Sequence, residues 1–321
     1  MQFSKQERTL DIFFRLLCGE KVSVQKLAAE YGVSTKSITR SINELKSFLA
    51  DRREFVGSME LQYSHTDKCY QIVSDRLLER GELFAVVEVL VGSRVLSKKE
   101  LCGLLNKLKR FVTPHDRARL NSLIRNEIIH YAEVGHDCES VTENLWRLSD
   151  CIEKKREITV EYYRMDRSLV SRRLYPMSVM FADYYFYLVA LETDDSKRMP
   201  KYFRVDRITK LTEHRDRRLT DKVPAFDEGL LRKRSSLMWP GIQRTIRFEF
   251  SGPSLQAVLD KLPTARVIKT ENNVSLVEAQ VYGDGIRMWL LSQGSWVKVV
   301  YPQEFVAEMK EEIEKMKKIY D

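Results

Sequence analysis

Tyr184-Tyr185-Phe186-Tyr187-Leu188-Val189-Ala190-Leu191 and, a short loop later, Tyr202-Phe203-Arg204-Val205-Asp206-Arg207-Ile208 are the two segments on which the fold turns. The first is an aromatic and aliphatic run; the second alternates apolar with charged residues, and both are predicted strands. Side by side they bring aromatic faces that stack on bases next to guanidinium groups that fork onto phosphates. The same residue types suit any half-buried strand. Two readings therefore stand at this level, a ligand-lining pair and a purely structural one.

The surroundings of this pair are also short strands. A helix carrying Leu145, Trp146, Leu148 and Ile152 leads into the period-two run Ile158-Thr159-Val160-Glu161-Tyr162, and strands are predicted at residues 172–175, 177–181, 185–191 and 202–208. So many short strands in some sixty residues predict a small β-barrel. Pro176 belongs at a strand edge or a bulge, because it cannot donate to a ladder.

Further upstream the period is helical. Ser4 and Glu7 have capping-box spacing, and Leu10, Phe13, Phe14 and Leu17 form a stripe that ends at Gly19. Lys21 to Val24 reads as a short extended link, after which Ser23 can cap a second helix with Leu27, Ala28 and Tyr31. Gly32 ends that helix and Ser34 caps a third, whose Ile38, Ile42, Leu45 and Leu49 share one face. The joint Tyr31-Gly32-Val33-Ser34 has the length and glycine of a helix-turn-helix. At about 100° per residue, Lys36, Arg40, Asn43 and Ser47 point away from the apolar stripe, flanked by Ser37 and Thr39. Arginine can fork onto guanine and asparagine onto adenine, while lysine, serine and threonine suit phosphates. The plain alternative is the solvated face of a small bundle. A hairpin candidate at residues 60–73, placed where a wing would be, favours the nucleic-acid reading.

Residues 75–135 are predicted helical. Leu77, Leu78, Leu83, Phe84, Val86, Val87, Leu90 and Val91 are too many for one thin stripe, so burial on more than one side is expected. Ser97 and Glu100 open the next helix, with Pro114 expected to stop it, and a third runs from about Asp116 to Tyr131. These helices are expected either to pair two protomers or to act as a spacer within one. After a basic connector, Arg232-Lys233-Arg234, come elements in the order βαββαβ, predicting a ferredoxin-like domain closed by a helix with Phe305, Met309, Ile313, Met316 and Tyr320.

Composition narrows the function. The chain has 321 residues, and 54 Lys plus Arg against 46 Asp plus Glu give a net charge of +8, which favours an anionic partner. Five singly scattered cysteines without a CxxC pair read as reduced thiols, and neither His136-Asp137-Cys138 nor His65 with Cys69 completes a zinc spacing. No membrane-length apolar run or signal-peptide pattern is visible, so a cytoplasmic protein without membrane partners is expected. There is no GxSxG, Walker-type loop or HExxH, and no catalytic residue, cofactor or metal is assigned.

Two resemblances sharpen these expectations. The run Val33-Ser34-Thr35-Lys36-Ser37-Ile38-Thr39-Arg40-Ser41-Ile42-Asn43-Glu44-Leu45 resembles the recognition region of bacterial DeoR-type winged helix-turn-helix regulators. It implies double-stranded operator DNA as partner, contacted by Thr35, Lys36, Ser37, Thr39, Arg40 and Asn43, and a homodimer reading two half-sites. Arg173-Leu174-Tyr175-Pro176, Phe186-Tyr187-Leu188-Val189-Ala190 and Phe203-Arg204-Val205-Asp206-Arg207-Ile208 look like the WYL domain in order and spacing, over most of residues 143–212. Phe186 stands where the name-giving tryptophan would be, keeping an aromatic face and losing an indole donor. Trp289-Leu290-Leu291-Ser292-Gln293-Gly294-Ser295-Trp296-Val297 resembles the extension that often follows WYL domains.

The WYL resemblance implies an Sm-like or SH3-like barrel that senses a ligand, in several members a nucleotide or single-stranded nucleic acid. Carried over residue by residue, Tyr187, Arg204 and Arg207 become ligand-pocket candidates, joined by Arg173 and Phe186. The arginines would bind phosphate oxygens and Phe186 or Tyr187 would stack on a base. Strand alternation puts Arg204 and Arg207 on opposite faces unless the strand ends or bulges between them. Asp206 is expected to restrain one of these arginines, and Arg207 has an ion pair as its alternative role.

The expectation is thus a multidomain α+β chain. A winged helix-turn-helix occupies residues 1–74, a helical connector 75–140, a ligand-sensing barrel 141–220 and a ferredoxin-like extension 221–321. It acts as a ligand-responsive transcription regulator or, alternatively, as a nucleic-acid binder whose barrel is a dimer scaffold.

Overall fold

A computed structural model describes residues 3–56, 58–73, 80–112, 114–195, 199–218, 233, 238–239 and 241–321. The chain divides into two units, Met1–Val134 and Gly135–Asp321.

In the first unit, helix α1 (Lys5–Leu17) begins at the capping box read from the sequence: the Ser4 hydroxyl accepts from the Glu7 amide and the Glu7 carboxylate accepts from the Ser4 amide. Helix α2 (Val24–Tyr31) ends at Gly32, whose φ of +64° is left-handed and lets the chain turn at once into α3 (Thr35–Asp51), capped by Ser34. Ile12, Leu16, Leu27, Ile38, Ile42, Leu45 and Leu49 close the core between the three helices. A short helix α4 (Arg53–Val56) leads to the antiparallel hairpin of β1 (Glu60–Ser64) and β2 (Cys69–Val73), with Leu61 opposite Ile72. Val22, placed by the sequence in an extended link, exchanges both backbone hydrogen bonds with Tyr70, at 2.9 and 2.8 Å. The hairpin is thereby tied to the segment between α1 and α2.

Three more helices follow, α5 (Arg80–Ser93), α6 (Lys98–Leu108) and α7 (Pro114–Ile129). Pro114 opens α7 and does not stop α6, which has already run out through a 3₁₀ turn at Lys109–Phe111. A first-turn position needs no amide donor, which is why proline is tolerated there. Leu77 and Leu78 lie outside the described residues.

In the second unit, α8 (Val141–Glu153) packs on an antiparallel sheet of β3 (Arg156–Tyr163), β4 (Leu169–Ala182), β5 (Tyr185–Glu192), β6 (Lys201–Arg204) and β7 (Ile208–Arg218). Leu148 and Cys151 from the helix meet Ile158, Val160, Leu174, Leu188, Ala190 and Phe203 from the strands. The strands expected at 172–175 and 177–181 are one strand, β4, and its register with β5 shifts between Pro176 and Ser178, so Pro176 sits at a bulge. The strand expected at 202–208 is interrupted by a 3₁₀ turn at Val205–Arg207.

The barrel expected here does not close. Strand order is β6-β5-β4-β3-β7, and no ladder joins the two edges. Chain connectivity nevertheless forces a strong curl. Four residue steps separate Arg204, the end of β6, from Ile208, the start of β7, and reach at most about 14 Å. Four interstrand spacings in a flat sheet would need about 19 Å. The edges approach, but β6 and β7 form no ladder across the 3₁₀ turn that joins them, so an open curled sheet replaces the Sm-like or SH3-like barrel.

The remaining elements are β8 (Gln243–Phe250), α9 (Leu255–Lys261), β9 (Arg266–Glu271), β10 (Val274–Tyr282), α10 (Gly285–Ser292), β11 (Val297–Tyr301) and α11 (Gln303–Tyr320), with sheet order β11-β8-β10-β9. This is the βαββαβ order expected from the sequence. Phe248 and Phe305 are its largest fully buried side chains. Most of the connector at 230–240, including Arg232 and Arg234, lies outside the described residues. Among the described residues, no helix is long and apolar enough to cross a membrane.

A Cβ at Gly32 would meet nothing within 4 Å, so only the left-handed backbone resists a side chain there. Gly32→Ala is expected to cost about 1 kcal/mol in denaturant unfolding of the first unit, and Gly32→Asn less. Equal stability of the alanine variant and the wild type would contradict the left-handed joint.

Candidate functional site

Two surfaces collect the residues singled out in the sequence. On the first, the buried stripe of α3 fixes which way the helix faces, and Thr35, Lys36, Arg40 and Asn43 are exposed while Thr39 is half-buried. They line one open concavity with Ser47 and Phe48. Lys36 and Asn43 have no side-chain partner among the described residues. The Thr39 hydroxyl donates to the Thr35 carbonyl at 3.0 Å, and Arg40 Nε lies 3.5 Å from Glu44, which also takes Lys5 at 2.6 Å. Ser37 is placed differently. Its hydroxyl accepts from Arg8 Nη2 at 3.1 Å, which turns it toward α1. The hairpin adds an edge-to-face pair of Tyr63 and His65 and carries Lys68 in the left-handed region at φ +53°.

The second surface lies on the five-stranded sheet, and β5 alternation divides its candidates. Phe186, with Leu188 and Ala190, belongs to the core beneath α8, and its ring packs 5.3 Å from that of Phe181. Tyr187 and Val189 belong to the opposite face, with Met180, Tyr202, Met238 and Tyr282 of β10. Phe186 and Tyr187 therefore cannot line the same face.

Arg204 is opposite Tyr187 in the β5–β6 ladder and its guanidinium lies 3.4 Å from the centre of the Tyr185 ring. It forks onto Asp206, with Nε at 3.1 Å from Oδ1 and Nη2 at 2.5 Å from Oδ2. Burial works against the charge on Arg204, and the Asp206 bonds and charge outweigh it, so its pKa is raised. Nη1 is left without a hydrogen bond to any described residue. Burial pushes the Tyr187 phenol up to about 12, against the opposing pull of the Arg204 charge. Two hydroxyls near this face, Ser178 Oγ opposite Val189 and Tyr282 OH, are buried without a partner among the described residues.

The turn that carries Asp206 is held from both sides. Asp137 and Cys138 amides donate to the Asp206 carbonyl at 2.9 and 3.0 Å, and Asn144 Nδ2 donates to the Ile208 carbonyl at 2.9 Å. Sequence reading missed Asn144. The signal was there: a polar residue on the apolar stripe of Val141, Leu148 and Cys151.

Arg207 and Arg173 take no part in the Arg204–Asp206 fork. Arg207 sits in the 3₁₀ turn, half-buried, with no ion pair to a described residue. Arg173 pairs with Glu157 at 3.1 Å and lies seven residues along β4 from Met180, the ladder partner of Tyr187. At about 3.3 Å per residue that is about 23 Å.

Family comparison matches these elements to known domains. Residues 143–213 match the WYL domain and residues 243–317 the WCX domain. The chain is a WYL-domain-containing protein. WYL and related domains are regulatory, non-catalytic modules, and among the described residues no group of three or more His, Cys, Asp or Glu is placed to hold a metal ion. No curated protein matches the chain. Among solved structures, proteasome accessory factor B/C (PafBC) of Arthrobacter aurescens is 16% identical over 97% of this chain and 48% of its own, with a TM-score of 0.32. A CRISPR Cas-related protein is 14% identical over 100% of this chain and 92% of its own, with a TM-score of 0.37. The chain spans about half the length of the first of these.

Tyr187 gives a test of the buried face. A phenol whose folded pKa lies above its unfolded value near 10 contributes stability that is full below pH 10 and is lost as pH rises toward about 12. In a spectrophotometric titration of the folded protein, Tyr187→Phe is expected to remove one late phenolate step and leave the steps near pH 10 unchanged. Loss of a step near 10 would place Tyr187 in solvent.

Proposed function

We propose that this chain is a ligand-responsive transcription regulator that binds an operator in duplex DNA through α3 and the β1–β2 wing. In this reading residues 1–74 bind DNA, 75–140 connect and pair protomers, 141–220 sense a ligand, and 221–321 form an extension. The observation that carries the DNA reading is the outward face of α3. Lys36, Thr39, Arg40 and Asn43 recur at helical spacing opposite a stripe that is fully committed to the core. A helix in the major groove needs that division of labour, with polar side chains reaching base edges and phosphates. The net charge of +8 agrees with it.

Support for a homodimer comes from α5. Leu83, Val87 and Val91 are buried on one side and Val86 and Val89 are exposed on the other, and a helix apolar all round asks for cover on both faces. Support for sensing comes from the sheet face bearing Tyr185, Tyr187 and Arg204. A nucleotide or a short single strand would find an aromatic face, the free Nη1 of Arg204 and, at the orphan hydroxyls of Ser178 and Tyr282, unmet hydrogen-bond capacity. A second reading, in which the sheet is a dimer scaffold without an effector, is favoured by one fact: two of the three Arg204 nitrogens are already held by Asp206.

Lys36→Ala with Arg40→Ala is expected to abolish operator footprints while the protein still sediments as a dimer. Unchanged footprints would refute the recognition-helix assignment, and a monomer on DNA would refute the pairing. Arg204→Ala separates the two readings of the sheet. With short single-stranded DNA and cyclic dinucleotides as probes, the sensor reading expects a probe-dependent change in DNA affinity that Arg204→Ala removes. The scaffold reading expects no change with either protein.

A further inference from the structure

Three charged side chains are buried among the described residues: Asp206, Glu278 and Arg8, at 4%, 9% and 5% exposure. The two carboxylates are matched. Asp206 holds Arg204, and Glu278 accepts from both Arg247 and Arg266. Arg8 pairs with no carboxylate among the described residues. Its Nη2 donates to Ser37 Oγ at 3.1 Å and its Nε is buried without a partner among the described residues. Nη1 has no hydrogen bond to a described residue and is not among the fully buried unpartnered atoms, so it keeps some access to solvent. A buried cation left unpaired is strongly unfavourable, which makes its place in the fold informative.

That place is the first turn of α3. Ser37 is the third residue of the helix, and its amide is already capped by Ser34. The amides of Thr35 and Lys36 precede the first intrahelical bond and have no partner within the helix. The positive end of the helix dipole, two open amides and the guanidinium bonded to Ser37 thus all belong to the first turn of α3, at one end of the proposed DNA-facing surface.

We propose that Arg8, with the open α3 amides, forms an anion site for a phosphodiester oxygen, and that its counterion is a backbone phosphate of duplex DNA. Nη1 donates to the phosphate while Nη2 keeps its bond to Ser37. Contact with the phosphate fixes the height and angle of α3 over the groove and carries no base information, so Arg8 sets affinity for every sequence alike. The inference rests on the DNA reading above and adds to it a residue of α1, outside the recognition helix.

Binding of a random-sequence duplex, measured across a salt series, tests it with Arg8→Met and Arg8→Gln. Methionine removes the cation at similar volume; glutamine keeps a donor for Ser37 and removes only the charge. Either variant is expected to fold, melting at or above the wild-type temperature, because an unmatched buried charge has been removed. Each is expected to bind DNA roughly tenfold more weakly at low salt. The slope of log affinity against log salt should fall by about 0.9 per site. Inorganic phosphate, added as a competitor at constant ionic strength, should weaken wild-type binding more than that of either variant. If wild type binds and both variants keep its salt slope, or melt well below it with unchanged slope, Arg8 is a structural residue and the site is refuted. If wild type binds no duplex at any salt, the DNA reading itself fails and takes the DNA phosphate with it. Competition without any duplex binding would assign the site to free phosphate.

Discussion

Burial of Ile38, Ile42, Leu45 and Leu49 between α1 and α2 fixes the rotation of α3 about its own axis, and the proposed nucleic-acid chemistry depends on that rotation. A helix has one angular freedom once its axis is set. Four apolar side chains at spacings of four, three and four residues remove it. Lys36, Arg40 and Asn43 are then exposed without needing any interaction of their own to hold them outward. Gly32 turns the chain from α2 into α3, and the bridge of Val22 to Tyr70 sets the β1–β2 hairpin against the same core. A groove reader needs this rigidity on one side and free polar side chains on the other.

The second unit follows a different logic, because its candidate residues are held by each other. Arg204 is stacked on Tyr185 and forked onto Asp206, whose own backbone is pinned by the amides of Asp137 and Cys138. Asn144 of α8 secures the end of the same turn. A group so placed is pre-organised, and an incoming anion can meet it at Nη1 without first ordering it. Displacement of Asp206 would instead couple ligand binding to the turn between β6 and β7, because the same residue holds Arg204 and the amides of Asp137 and Cys138.

Much of the first unit was legible because each signal was local. Ser4 with Glu7, Gly32, Ser34 and the stripe of α3 each act within a few residues, and structure and sequence agree on them. Ser37 was read as a surface residue because the helical wheel places it at the border of the polar face. Only the approach of Arg8 from another helix turns it inward. The central sheet was legible as strands but not as a closed or open surface, since closure depends on pairing between β6 and β7, two edges that local patterns do not bring together and that form no ladder here. Alternation along β5 was available in the sequence and separates Phe186 from Tyr187. Resemblance to a named triplet grouped them, and the pleat divides them. Arg173 lies far along β4 from Met180 for a similar reason: proximity in a motif is not proximity along a strand.

Amide hydrogen exchange, followed by mass spectrometry with and without a duplex at moderate salt, most directly tests whether the outward face of α3 is the nucleic-acid surface. The expected result is slowed exchange in residues 35–51 and in the hairpin of 60–73, with the five-stranded sheet unchanged. Protection confined to β5 and β6, with α3 exchanging as in the free protein, would contradict it.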